Sequence, residues 1–152
     1  DGELSAAFVL GSQLYVARER SISRWTFLAD PAVDGGVFRA ANRGCLNFRM
    51  FCLFDGQAAL MDTEGVYLFN GGTVDPASRL IQNYFRPGKI HWQQSEWFHA
   101  QVYEAEETAR FFVCLSGSDF PRHAFCYHYR QGKWWIEEYA TPMSAATTAL
   151  HC

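Results

Sequence analysis

The sequence predicts an all-β fold: a β-propeller segment of about three four-stranded antiparallel blades, with one short helix in a connection. Three observations predict it. Short apolar or alternating runs are separated by turn residues along nearly the whole chain, the pattern of strands joined by hairpins. GSQLYVARERSISRW (11–25) lines up with DGQAALMDTEGVYLF (55–69) at an offset of 44 to 45 residues, the length of a four-stranded blade. Aromatic residues are 16% of the composition, and sheets that splay around a ring need large wedges between them.

In chain order, residues 7–10, a Gly11-Ser12 turn and residues 14–17 form a hairpin, with 21–27 as the next strand. Residues 49–54 run into Asp55-Gly56, a dipeptide suited to the left-handed backbone of a two-residue hairpin turn. Strands at 58–61 and 66–70 follow, separated by a turn at 62–65. Further on, 97–103 and 110–115 flank the acidic connection 104–108. The run RHAFCYHYRQGKWWIEEY (122–139) sets strands at 124–129 and 134–139 on either side of RQGK, where Gly132 supplies the permissive turn backbone. Only Ser78–Phe85 has helical character. Ser78 can cap it, Leu80, Ile81, Tyr84 and Phe85 share one side, and Pro87-Gly88 ends it.

The blades fall at about 5–42, 46–75 and 97–140, the last holding all four strands in order, and the chain reads as a segment of a longer polypeptide. A sheet covered on both faces explains why 111–115 is apolar at consecutive positions. Trp25, Phe69 and Trp134 or Trp135 are the expected structural and assembly residues, corresponding blade-end positions that wedge between sheets. Neighbours in a strand face opposite sides, so one of Trp134 and Trp135 points into the inter-blade core and the other outward. Glu137 and Glu138 split in the same way, one at the rim and the other needing a partner.

No catalytic, cofactor-binding or metal constellation emerges. His91, His99, His123, His128 and His151 show no HxH or HExxH spacing, and His123 and His128 fall on opposite faces of their strand. The carboxylates Glu104, Glu106, Glu107, Glu137 and Glu138 read as solvated connections and an outer strand. Ser118-Asp119 lacks the glycine and spacing of a sialidase-type Asp box. Cys45, Cys52, Cys114, Cys126 and Cys152 contain no CxxC pair and read as buried thiols in a reducing compartment. A formal net charge of −3 lacks the basic face that wrapping nucleic acid needs, and no apolar run is long enough to span a bilayer.

Three stretches resemble the β-propeller of bacteriophage tail-hub and nozzle proteins, including the packaged-DNA stabilisation proteins of short-tailed phages. They are LYVARERSISRW (14–25), RGCLNFRMFCLFDGQAALMDTEGVYLF (43–69) with its arginine-glycine start and Gly-Val-Tyr strand, and ARFFVCLS with FCYHYRQGKWWIEEY (110–139). The resemblance implies a non-enzymatic virion protein of the tail or head-to-tail connector, assembled in the bacterial host cytoplasm. It implies a homo-oligomeric ring that meets the portal, adaptor and other tail proteins and guides or retains packaged DNA in passing contact. It carries no cofactor and no site residue beyond the blade-packing positions. Net −3 is compatible with a conduit that does not grip DNA. Two rival uses are a carbohydrate- or receptor-binding propeller stacking sugars on Trp92, Trp97 or Trp135, and a glycoside hydrolase propeller with two facing carboxylates.

Overall fold

The computed structural model describes residues 2–26 and 36–146; Phe27, His151 and Cys152 lie outside the described residues. The described chain is mostly β, arranged as three four-stranded antiparallel sheets. The first holds β1 (Leu4–Leu10), β2 (Gln13–Arg18), β3 (Ile22–Thr26) and β4 (Gly36–Ala41). The second holds β5 (Phe51–Phe54), β6 (Gln57–Asp62), β7 (Gly65–Phe69) and β8 (Val74–Pro76). The third holds β9 (His99–Tyr103), β10 (Thr108–Val113), β11 (His123–His128) and β12 (Lys133–Glu138). Each is a meander in sequence order, so 14–17, 58–61 and most of 110–115 lie in the second strand of their sheets. Strands β4 and β8 add to the ten expected from the sequence. VDP is three residues ending in proline, and GVFRAA opens on glycine, so neither carries a clear strand signal.

The turns are set by backbone chemistry. Asp55 (φ 47°) and Gly56 (φ 72°) are both left-handed, the conformation a two-residue hairpin needs to match strand twist. At the RQGK turn, Gly132 takes φ 65° and its N–H donates to the His128 carbonyl at 2.8 Å.

Side chains on the two faces of the second sheet reach opposite neighbours. Phe51 and Phe69 meet Phe8 of the first sheet at ring-centroid distances of 5.3 and 6.4 Å, and Phe69 meets Tyr15 edge-on at 5.1 Å. On the other face, Phe54 stacks on Tyr129 at 4.4 Å. With a sheet on each side, β6 is buried without a break from Ala58 to Asp62. First strands lie next to one another: Phe8 of β1 touches Phe51 of β5, and the Ala100 N–H of β9 donates to the Arg49 carbonyl just before β5 at 2.7 Å.

Beyond β8 the gap between the second and third sheets is filled by the connection. Tyr84 and Phe85 contact Phe125 at 5.5 and 5.7 Å, and the Trp134 indole donates to the Ala77 carbonyl at 2.9 Å. This connection differs from the expected helix. Ser78–Phe85 is a 3₁₀ helix kinked at Ile81, and no side chain caps it. The Ser78 hydroxyl instead accepts the Val66 N–H at 2.9 Å, tying the connection to β7. Leu80, expected on the apolar side, is exposed, because the 3₁₀ period of three residues per turn rotates it away from Ile81. Two further 3₁₀ turns, Trp92–Trp97 and Glu104–Glu106, occupy connections.

The arginine-glycine stretch seals the seam between the first two sheets. Arg43 forks onto Asp62 with hydrogen bonds of 2.6 and 2.5 Å, and its guanidinium lies 4.7 Å from the Tyr67 ring centroid. Asp62 also accepts the Glu64 and Gly65 N–H groups, and the Tyr67 hydroxyl donates to the Gly44 carbonyl at 2.5 Å. A Cβ on Gly44 would sit 1.9 Å from the Arg18 carbonyl oxygen, so this close approach admits only glycine.

Candidate functional site

The pairing registers define equivalent positions in the three sheets. Leu14 pairs with Trp25 and Trp25 with Val37. Ala58 pairs with Phe69 and Phe69 with Val74, while Ala109 pairs with Tyr127 and Tyr127 with Trp134. Each row starts one residue beyond the first hairpin pair of its sheet, so Trp25, Phe69 and Tyr127 are counterparts, as are Val37, Val74 and Trp134. Paired residues share a face. In the second sheet this face lies against the first sheet, and in the third it looks toward the second. Phe69 is accordingly 0% exposed and Tyr127 7%. The same face of the first sheet has no such neighbour among the described residues: Trp25 is 39% exposed, Val37 60% and Val9 55%.

At the other end of the stack, the outer face of the third sheet is a polar network. Arg110 donates to Glu137 through Nε at 3.2 Å and Nη2 at 3.3 Å, and to Glu106 at 2.8 Å. Its guanidinium lies 4.3 Å from the Tyr103 ring centroid. Glu137 also accepts the Trp135 indole N–H at 2.9 Å and the Tyr139 hydroxyl at 2.5 Å. Burial pushes the Glu137 carboxyl up, but the hydrogen bonds from Tyr139, Trp135 and Arg110 outweigh it and hold the group at about 2. The Tyr139 phenol is pushed up, by burial and by its bond to this carboxylate. Both carboxylate oxygens are engaged and the group stays ionised, so Glu137 is built as a pin that fixes β12 to β10. Beside the network, Phe112, Ala124 and Cys126 are covered by Tyr139, Met143 and Ala146, and the Met143 N–H donates to the Pro121 carbonyl at 2.7 Å. Arg49 donates to the Ser144 carbonyl, which ties the tail toward the inner edge of the stack.

The four sequence-predicted residues separate. Phe69 is fully buried between sheets, whereas Trp25 at the matching position is partly exposed, because among the described residues no sheet packs on that face of the first one. Trp134 and Trp135 lie in the fourth strand and are not counterparts of Trp25 and Phe69; that role belongs to Tyr127 of β11. The stretches 11–25 and 55–69 end in the third strand of their sheets, whereas 97–139 runs on through the fourth, so its closing aromatics fall one strand later. Trp134 faces inward, stacked on Tyr127 at 4.7 Å, and Trp135 faces outward at 37% exposure. Glu138 is exposed, but Glu137 is not the solvated carboxylate expected, since Arg110 waits across the sheet.

The described histidines do not gather. His91 contacts the Ser118 carbonyl, His99 is buried with its ring stacked on Phe112 at 4.5 Å, and burial lowers its pKa. Among the described residues no group of three or more His, Cys, Asp or Glu side chains could hold a metal. Trp92 is wedged between Phe85 and Phe98, and Trp97 contacts Phe120 at 5.7 Å. An open cleft beside β1 is lined by Glu3, Leu4, Ser5, Glu19, Leu46, Asn47 and Phe48. No family model matches the chain, and no curated protein is significantly similar to it.

Sequence reasoning missed the Arg110–Glu137 and Arg43–Asp62 pairs. The first joins strands 27 residues apart and the second residues 19 apart. A usable signal existed for the first: Arg110 is the one charged residue in an otherwise uncharged second strand, TARFFV, and a lone charge in a covered strand calls for a partner.

Proposed function

We propose that this chain is a portion of a β-propeller with an assembly role, and that it serves as a non-enzymatic structural protein in the ring-shaped tail or head-to-tail connector of a bacteriophage. The observation that carries this reading is the repeat of register: three meanders carry the counterpart rows Leu14–Trp25–Val37, Ala58–Phe69–Val74 and Ala109–Tyr127–Trp134, and the second and third turn that face toward the preceding sheet. Adjacent first strands and an aromatic filling beyond β8 are what sheets radiating from an axis require. The placement in a phage ring rests on the resemblance of residues 14–25, 43–69 and 110–139 to tail-hub and nozzle propellers, and the residues of the 43–69 stretch meet in one seam through Arg43, Gly44, Asp62 and Tyr67. On this reading the partners are further copies, the portal and adaptor, and DNA only in passage.

The test is electron microscopy of the purified protein, alone and mixed with portal rings of short-tailed phages, together with a glycan array and a DNA mobility assay at physiological salt. Ring-shaped particles or binding to the portal, with neither glycan nor tight DNA binding, are the expected results. Glycan binding that disappears in Trp135→Ala would overturn the reading in favour of a sugar-binding propeller, since Trp135 is an outward-facing tryptophan.

A further inference from the structure

Residues 139–146 cross the outer face of the third sheet as a strap. Tyr139, Met143 and Ala146 cover Phe112, Ala124 and Cys126 there. The near end of the strap is held twice: the Tyr139 N–H donates to the Arg122 carbonyl at 2.7 Å, and the Tyr139 hydroxyl donates to Glu137 at 2.5 Å. At the far end the Met143 N–H donates to the Pro121 carbonyl at 2.7 Å and Arg49 donates to the Ser144 carbonyl.

His99 of β9 pairs with Phe112 and so shares this face, its ring stacked on the Phe112 ring at 4.5 Å with 11° between the planes. The residue is 3% exposed. Its Nδ1 lies 3.1 Å from the Trp97 carbonyl, which can only accept, so Nδ1 carries the proton of the neutral ring. Nε2 is then a bare lone pair, buried and without a hydrogen-bond partner among the described residues. A second proton would create a buried N–H with no acceptor, a cost that only access to water relieves. From the elements packed at this face, the other titratable and charged groups are Arg49 before β5, Arg110 of β10, Cys126 of β11, Glu137 of β12 and Tyr139 of the strap. Arg110 and Glu137 pair with each other at 3.2 Å. Arg49 remains, a like charge to a protonated imidazole and itself the donor that holds Ser144.

We infer that neutral His99 is the latch of this strap: proton uptake at Nε2 frees residues 143–146 while Tyr139 stays as the hinge, and the apolar patch of Phe112, Ala124 and Cys126 is uncovered. Burial is the chief reason that the His99 pKa lies below its ordinary 6.5; the bond to the Trp97 carbonyl opposes the drop and Arg49 adds to it. A group whose pKa is depressed in the closed state supports closure fully above 6.5 and withdraws that support as pH falls below it. The open fraction therefore rises by up to about tenfold per pH unit in that range. Glu137 stays ionised down to about 2, which is why the hinge outlasts the latch. The device involves the third sheet, Arg49 and the strap alone, so it holds whether or not the sheets belong to a ring.

Hydrogen exchange read by mass spectrometry on the 152-residue chain from pH 8 to 5, corrected for the intrinsic pH dependence of exchange, tests this. Protection at Met143 should fall about tenfold or more, while Tyr139 and β6 keep theirs. Labelling of Cys126 by a dithiodipyridine, which reacts with thiols in acid as well, should rise over the same range. In His99→Phe, which keeps a ring on Phe112 but cannot titrate, the strap should stay closed throughout. Nitrogen-15 NMR of the wild-type histidine rings should show the Nδ1–H tautomer of His99 at pH 8 and a titration that coincides with the loss at Met143, and this decides the matter if the variant does not fold. Unchanged protection at Met143, loss of protection in every sheet together, or a His99 ring protonated at Nε2 at pH 8 overturns the inference. So does acid opening that persists in folded His99→Phe, where His91, His123 and His128 are intact.

Discussion

The two ends of the sheet stack are built from opposite materials. At one end Trp25, Val37 and Val9 leave apolar surface in water, and at the other Arg110, Glu137, Trp135, Tyr139 and Tyr103 satisfy one another. Between them the second sheet is buried on both sides. The difference teaches that residue chemistry alone does not say whether a strand face is core or surface. Trp25 and Phe69 occupy the same register position, and only the presence of a preceding sheet separates them. The polar end makes the complementary point: an arginine in an apolar strand is stable there because two carboxylates, Glu106 and Glu137, accept from it while Trp135 and Tyr139 donate to Glu137.

The sharpest way to break this comparison is a matched pair of truncations. Phe69→Ala should lose about 3–5 kcal/mol of stability, since a fully buried ring leaves a cavity between sheets. Trp25→Ala in the monomer should lose less, about 1–2 kcal/mol, because Trp25 is 39% exposed where Phe69 is fully buried. Denaturant unfolding checks both, and equal losses would mean that the first sheet's face is covered as well as the second's.

The adjacent tryptophans give the next largest contrast. Trp134→Ala removes the stack on Tyr127 and the hydrogen bond to the Ala77 carbonyl, an expected loss of about 2–4 kcal/mol. Trp135→Ala removes an outward ring and one bond to Glu137, an expected loss of about 1 kcal/mol or less. Thermal melting of the two variants ranks them, and a reversed order would place the inter-sheet core on the wrong face of β12.

Acid sharpens the polar end. The Glu137 carboxyl sits at about 2 in the folded chain, below the ordinary value of 4.5. Its depressed pKa contributes stability that is fully present above pH 4.5 and is lost as pH falls toward 2. Glu137→Gln should cost about 1–3 kcal/mol at pH 7, with the gap from wild type narrowing across that window. Melting curves from pH 7 down to 2 follow it, and a gap that stays constant would remove the ionised carboxylate from the account.

The smallest expected effect is chemical silence. Burial pushes the Cys45 and Cys126 thiols up to about 12 and Cys114 to about 11, and all four described cysteines are buried free thiols. Iodoacetamide at pH 8 should leave them unmodified in the native protein, as read by mass spectrometry without reduction. Selective labelling of Cys126 would show that the segment carrying Met143 and Ala146 lifts off the third sheet.

Much of the architecture was legible in the residues. Asp55-Gly56 and RQGK announced their turns because left-handed backbone has few tenants, and the apolar run 111–115 announced a strand covered on both faces. The 11–25 and 55–69 repeat located counterpart strands, since hairpin length and alternation are local properties. Adjacency alone divided Trp134 from Trp135 and Glu137 from Glu138. What local chemistry does not contain is which face meets which neighbour. The choice of Trp134 as the inward ring, the exposure of Trp25, Tyr127 as the third counterpart, and the pairings of Arg110 with Glu137 and Arg43 with Asp62 were all decided by tertiary structure. The physical reason is that burial and charge pairing depend on atoms brought together from distant parts of the chain, where the desolvation of a ring or a guanidinium is settled by whatever packs on it.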